Sequence, residues 1–381
     1  MADIVYKLDP EIIIGQDTVN RVGSICSVFG SRVLVTTEQV LYENNAIERL
    51  TTVLADAGVE AILFDEIPAQ ATADVAETAA SLARGARCNA IIGFGGLKTQ
   101  SIARMASIIA GSGLEVFELL DGRKEEKGFI PFVAVPTTGR DPFLFASYFI
   151  AVDPRDRSVK LVKSPKGLCA AAVIDSGLSE SLSGKFASTT FFYGFCVAVE
   201  AYCSVKSSFL SDSLLEQAIS LYGQMINSYA DNRNFDLIQG SVKAGFLMAL
   251  GAAISAPGIG TALAYALNGR FPVAKSWSST VLLPYVLEKL VAARPEKMAK
   301  VAALIGEPVE GSSVAEAANM AVESVRRRMG VLQVPARLKE FNLSLDRLVP
   351  VAEAARDLEF NAFSPWTIAS EDAFDILKQA F

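Results

Sequence analysis

Histidine is absent from this chain of 381 residues. It is the commonest metal ligand and the side chain that titrates most readily near neutral pH, so its absence removes whole reaction classes. Serine–histidine and cysteine–histidine nucleophile systems are excluded. So is any metal site built on imidazole, which covers most catalytic zinc and non-haem iron arrangements. Chemistry here has to come from carboxylates, lysine, tyrosine, cysteine, hydroxyls, backbone amides or a bound cofactor.

Cysteine is sparse as well. Cys26, Cys88, Cys169, Cys196 and Cys203 form no Cys-x-x-Cys pair and leave one over, which reads as reduced, mostly buried thiols in a cytoplasmic protein. Basic charge is not in excess: 35 Lys and Arg face 42 Asp and Glu for a net charge of −7. With no basic stripe, nucleic acid is not an expected partner. The opening Met1-Ala2-Asp3-Ile4-Val5 has neither a basic region nor a long apolar one, so no signal peptide is expected. Ala244 to Gly269 carries no charge and is long enough to span a bilayer. Gly251, Pro257, Gly258 and Gly260 interrupt it, however, and Ser255 and Thr261 add polarity. Two buried helices joined at a Gly/Pro break are expected there, with no membrane partner.

What the chain does have is apolar mass. Hydrophobic residues reach 51% and the mean hydropathy is +0.33. The length suits two domains with thick cores, and the apolar excess suits a subunit interface, as in a homodimer.

The first half alternates β-rich runs with helical patterns, the signature of a parallel sheet with crossover helices. Strands are expected at Arg32–Thr36, Ala61–Phe64, Asn89–Gly93, Phe132–Pro136 and Ala172–Asp175, with a hairpin at Tyr148–Val152 and Lys160–Val162. Helices are expected around Asn44–Ala57 and Val75–Arg87, and from the Gly95-Gly96 turn to about Ala110. After Asp175 helical periodicity dominates: Lys185–Ser204, Asp212–Tyr229, Ile238–Ala256, Thr280–Ala293, Val314–Met329 and three shorter helices from Pro335 to Phe381. The expected organisation is an α/β domain with a Rossmann-like parallel sheet over 1–175, then an all-helical domain over 176–381.

Strand, then Gly93-Phe94-Gly95-Gly96-Leu97-Lys98-Thr99, then helix is a geometry for binding an anion. Glycines let the backbone approach the ligand, and the helix start offers unpaired N–H groups and a positive dipole end. The same turn also serves as a tight connection and nothing more. Lys98 in the first helical turn opposes the dipole, which suits either a phosphate contact or an exposed lysine.

Several stretches, in order and at similar spacing, resemble the iron-containing alcohol dehydrogenase family, within the dehydroquinate-synthase-like fold. Gly95-Gly96-Leu97-Lys98 stands where that family has its GGGS pyrophosphate loop, and Pro136-Thr137-Thr138 matches its PTT element. Val173-Ile174-Asp175, Val199-Glu200-Ala201-Tyr202 and Val281-Leu282-Leu283-Pro284 match further segments. So do Leu267 with Gly269, and the tail from Asn361 through Pro365 to Glu371-Asp372. The resemblance implies NAD(P)-linked oxidation of alcohols or reduction of aldehydes, with NAD or NADP held by Gly95, Gly96, Leu97, Lys98, Thr137 and Thr138.

The departures fall on the functional positions. Family members hold one divalent metal with an Asp and three His; those positions carry Tyr193, Val197, Thr261 and Lys275. A further family histidine, assigned to substrate or proton transfer, falls on Tyr265. Valine cannot ligate a metal and an ammonium repels one, so no metal is expected. The nucleotide side is altered too: Leu97, Lys98 and Ser101 replace a Gly, the Ser and an Asp, and the ribose-binding Asp falls near Thr37, with Glu38 alongside.

The resemblance brings Tyr193, Val197, Thr261, Tyr265 and Lys275 to a cleft between the domains. Two functions then stay open. One is a metal-independent reductase: Lys275 supplies the positive charge for a developing alkoxide, and Tyr193 or Tyr265 donates the proton. The other is a non-catalytic nucleotide- or metabolite-binding homologue, or a repurposed enzyme acting on an anionic or phosphorylated small molecule. Lys98, Arg104, Arg140, Arg270 and Lys275 would supply the anion contacts in that case.

Overall fold

Strands buried on both faces have to be nearly continuously apolar, and three runs here are, apart from Arg32 and Thr36 at the ends of the first: Arg32–Thr36 (RVLVT), Ala90–Gly95 (AIIGFG) and Phe132–Pro136 (FVAVP). In the computed structural model, which describes residues 7–124, 128–179, 184–231 and 236–381, they form the centre of a parallel sheet. The chain divides into two compact units, Met1–Ser181 and Leu182–Phe381. Met1–Val5, on which the signal-peptide expectation rests, lies outside the described residues.

The first unit contains β1 (Glu11–Gly15), β2 (Arg32–Thr36), β3 (Glu60–Phe64), β4 (Ala90–Gly95), β5 (Phe132–Pro136), β6 (Tyr148–Val152), β7 (Val159–Lys163) and β8 (Cys169–Asp175). Its helices are α1 (Val22–Ser27), α2 (Ala46–Asp56), α3 (Asp74–Gly85), α4 (Leu97–Ser112) and α5 (Val116–Leu120). Six strands make the sheet, in the order β1-β8-β5-β4-β2-β3, all parallel. The β6–β7 pair is a separate antiparallel hairpin, Phe149 opposite Val162. Alternate residues point to opposite faces. Val33, Val35, Ile92, Phe94, Val133 and Val135 join one core with Leu50 and Leu54 of α2 and Cys26 of α1. Leu34, Ile91 and Ala134, equally buried, face the other way, on the side of α3 and α4.

The strand order places the site. From β2 the chain first adds β3 on one side, then returns to add β4 on the other. Connections leaving β2 and β4 therefore diverge, and the crevice outside their carboxyl ends is where doubly wound sheets take ligands. Glu38 follows β2, and Gly96 follows β4.

The second unit is helical: α6 (Gly184–Cys203), α7 (Phe209–Ala230), α8 (Leu237–Ile254), α9 (Ile259–Arg270), α10 (Lys275–Ala293), α11 (Pro295–Leu304), α12 (Val314–Val331), α13 (Val349–Arg356) and α14 (Ser370–Ala380). Starts follow local chemistry. Ser313 caps α12, accepting the Glu316 N–H (3.3 Å) while the Glu316 carboxylate accepts the Ser313 N–H (2.8 Å). Pro295 opens α11 at a position where its missing N–H costs nothing. The expected break in the uncharged stretch falls at Ser255–Gly258, between α8 and α9. Among the described residues α8 is long and apolar enough to cross a membrane, and half of it is buried.

Candidate functional site

Two constellations carry the chemistry, one in each unit. In the first, β4 ends at Gly95, Gly96 caps α4, and Leu97 opens the helix. A Cβ at Gly95 would stand 2.9 Å from Thr99 Cβ and 3.0 Å from Glu38 Oε1, so only glycine lets the turn close this tightly. The seat at the helix start is filled by a side chain of the chain itself. Glu38 Oε1 accepts the Gly96 N–H at 2.8 Å and the Thr99 hydroxyl at 2.6 Å. Thr137 is buried and its N–H donates to the Gly95 carbonyl (3.2 Å), tying the end of β5 to the turn; Thr138 is half-buried beside it.

Lys98 does not lie in that seat. Its ammonium donates to the Pro68 carbonyl at 3.1 Å. Arg104, an anion-contact candidate from sequence, is corrected by the structure. It is buried, pairs with Asp141 at 3.0 Å and donates to the Phe143 carbonyl at 2.8 Å. The Phe132 and Phe149 rings stand 5.6 and 5.8 Å from its guanidinium carbon. A guanidinium so enclosed holds α4 to the β5–β6 connection and offers no contact to a ligand.

The second constellation lies on α6, α9 and α10. Tyr193 and Val197 are fully buried on α6, Thr261 and Tyr265 on α9, and Lys275 is half-buried at the start of α10. Lys275 and Tyr265 are brought together: Nζ stands 4.8 Å from the centre of the phenol ring. Thr261 is committed elsewhere, its hydroxyl donating to Glu200 Oε2 at 2.6 Å.

Glu200 is the residue that sequence reasoning passed over. Fully buried on α6, its carboxylate accepts the N–H groups of Gly258 (3.3 Å), Gly260 (2.6 Å) and Thr261 (3.0 Å), so it caps α9 from another helix. A Cβ at Gly258 or Gly260 would stand 2.8 or 3.0 Å from Oε1, which is why glycine occupies both. Burial raises the Glu200 carboxyl above the ordinary range, and the Thr261 hydroxyl and the three N–H groups hold that rise back. A readable signal exists: Glu200 is the only charged residue between Phe186 and Ser204, and a buried charge has to find donors. One turn earlier on α6, burial pushes the Cys196 thiol well up. All five cysteines are free, four of them buried and Cys169 half-buried.

A parallel doubly wound unit with a glycine turn at its switch point, followed by an all-helical unit, defines a dehydroquinate-synthase-like protein. The chain belongs to the iron-containing alcohol dehydrogenase family: the description "iron-containing alcohol dehydrogenase" matches residues 9–176, and that of the family's C-terminal part matches 189–381. It is similar to long-chain-alcohol dehydrogenase 1 of Geobacillus thermodenitrificans, 27% identical over 359 residues, covering 92% of this chain and 89% of that protein. A solved 1,3-propanediol oxidoreductase superposes with a TM-score of 0.91 at 22% identity, over 100% of both chains. A sulfoacetaldehyde reductase from Bifidobacterium kashiwanohense, solved with NAD+, gives 0.84 at 15% identity over 100% of this chain and 99% of that one.

Proposed function

We propose that this chain is an NAD(P)-linked alcohol dehydrogenase or aldehyde reductase that works without a metal, on a small-molecule carbonyl. The observation that carries the reading is the pairing of Lys275 with Tyr265, 4.8 Å from ammonium to ring centre, at two positions where the family has histidines.

The donor set at the family's metal positions does not fit a divalent ion. Val197 has no lone pair to give and is fully buried. The Thr261 hydroxyl is bonded to Glu200, and Lys275 places a cation where a cation would have to bind. Among the described residues no three Cys, Asp or Glu side chains cluster as metal ligands do.

The nucleotide side does fit a dinucleotide in its frame: a glycine turn between a buried strand and a long helix, closed against β5 by Thr137. Gly95, Gly96, Leu97, Lys98, Thr137 and Thr138 would hold NAD or NADP. When bound, the nicotinamide supplies or accepts a hydride. The chain's own part is to stabilise and protonate the carbonyl oxygen. The Lys275 ammonium supports negative charge developing there, and the Tyr265 phenol, with Tyr193 as the alternative, gives up its proton to it. The acidic balance of the chain supports a partner other than nucleic acid, its apolar excess a homodimer, and its free cysteines a cytoplasmic location.

Replacing Lys275 by Ala tests the assignment. NADH- or NADPH-linked reduction of small aldehydes should fall by about 100-fold or more, the scale of losing one oxyanion-stabilising group, while calorimetric cofactor affinity stays within about twofold. Loss of affinity with no specific effect on the rate would make Lys275 structural.

A second reading, a non-catalytic nucleotide- or metabolite-binding homologue, is favoured by Glu38 standing on the Gly96 N–H. Under it the wild-type chain reduces no carbonyl at saturating cofactor.

A further inference from the structure

The crevice at the carboxyl ends of β2 and β4 already contains an anion. A helix start at such a switch point offers N–H groups and a positive dipole end to a phosphate. Here the first of those groups, Gly96 N–H, is bonded to Glu38 Oε1 at 2.8 Å, and the same oxygen takes the Thr99 hydroxyl at 2.6 Å. Both are short charge-assisted bonds. The carboxylate lies so close to the turn that a Cβ at Gly96 would be 3.3 Å from it.

We propose that Glu38 is the specificity-determining residue of this crevice: it occupies the diphosphate seat, so that a nucleoside diphosphate binds only by displacing the carboxylate. A diphosphate and a carboxylate cannot share one helix start, because like charges repel and each needs the same N–H donors. The displaced side chain has somewhere to go. Glu38 is half-buried, at the head of a short 3-10 turn (Gln39–Leu41), in extended backbone geometry. The crevice therefore discriminates against multiply charged phosphates and accepts less charged ligands without that penalty. This rests on the reading above only in taking the ligand to be a nucleotide, and it is read by binding rather than turnover.

The test is a calorimetric titration of ADP, NADH and inorganic pyrophosphate into the full chain and its Glu38→Ala, Glu38→Gln and Thr99→Val variants. Glu38→Ala vacates the seat, and its affinity for all three probes should rise by about 10-fold or more. Glu38→Gln keeps an acceptor but removes the charge, and should rise by less. Thr99→Val removes one of the two groups holding the carboxylate and should give a gain of a few fold. A misfolded variant cannot produce tighter binding, and pyrophosphate separates the diphosphate from the ribose. Weaker binding of ADP and NADH by Glu38→Ala and Glu38→Gln would overturn the proposal and make the carboxylate a ribose acceptor. Unchanged affinity, or no binding by any of the four proteins, would overturn it as well. Should the variants bind tighter yet reduce no aldehyde, the competitor role stands and the reductase reading falls.

Discussion

Glu38 and Glu200 meet the same physical demand in different units. Each is a carboxylate brought from a preceding element to the otherwise unpaired N–H groups of a helix start, α4 and α9 respectively. They differ in burial, and that difference is measurable. Glu200 is closed off from solvent, and desolvation outweighs its hydrogen bonds, raising its pKa. A carboxyl with a raised pKa binds its proton more tightly in the folded chain than in the unfolded one. Its contribution to stability is therefore present below the ordinary carboxyl range and is lost as the pH rises through the raised value. Glu200→Gln removes this titration and leaves some of the N–H groups without an acceptor, a cost that does not vary with pH. The melting-temperature advantage of the wild-type chain over Glu200→Gln should accordingly shrink as the pH rises above the ordinary carboxyl range. An advantage that grows there would mean that the four donors outweigh burial. The sequence placed Glu38 beside the family's ribose-binding position and Glu200 within a family motif, but the helix start that each one reaches lies far off in sequence and so leaves no local pattern. For Lys98 the position in the first turn was legible, but its contact with Pro68 depends on where the loop after β3 runs.

At the scale of elements, segments with their own periodicity were legible. The glycine turn, the central strands, the hairpin and the long helices stand close to where apolar patterning puts them. β1 was not foreseen. It is an edge strand, exposed at Glu11 and Ile14, and among the described residues it pairs with β8 alone, Ile13 opposite Val173. Nothing near it in sequence announces a partner so remote. α10 begins at Lys275 rather than Thr280, because Ser276, Ser278 and Ser279 read as polar punctuation yet are buried in the helix. Helix packing in the second unit depends on glycine in a way that periodicity also hides. A Cβ on Gly194 of α6 would stand 2.2 Å from Cζ of Tyr222 on α7, a rigid ring atom that cannot fold away. Gly194→Ala should destabilise the protein by about 1–3 kcal/mol, the usual cost of overpacking a well-filled core. Gly330→Ala on α12 has the opposite sign. Gly330 is exposed and a Cβ there meets nothing within 4 Å, so the helix should gain about 0.5 kcal/mol. Urea denaturation of both variants checks the pair; equal effects would mean that the α6–α7 contact yields.

For the molecule as a whole, the absent histidines become a statement about what holds the second unit together. A metal ion bound between helices ties them at one point, and chelation unties them. Here the corresponding helices are joined by side chains. Glu200 of α6 holds the start of α9 through four hydrogen bonds. Lys275 of α10 stacks on Tyr265 of α9. Thr280 of α10 donates to the Thr189 carbonyl of α6 at 3.4 Å, and the Thr189 and Ser276 hydroxyls meet at 3.5 Å. Family membership and fold were readable from collinear motifs spread over both units, whereas activity was not, because function resides in the site and not in the scaffold. If side chains alone tie these helices, the purified protein should contain transition metal only at trace, substoichiometric levels by elemental analysis. Prolonged exposure to EDTA should then leave its melting temperature and far-UV circular dichroism unchanged, since a ligand that does not bind the native state adds nothing to its stability. A stoichiometric metal, or a melting temperature that drops on chelation and recovers when the ion is returned, would mean that ligands other than Tyr193, Val197, Thr261 and Lys275 hold it, and the metal-independent reading of the site would be lost.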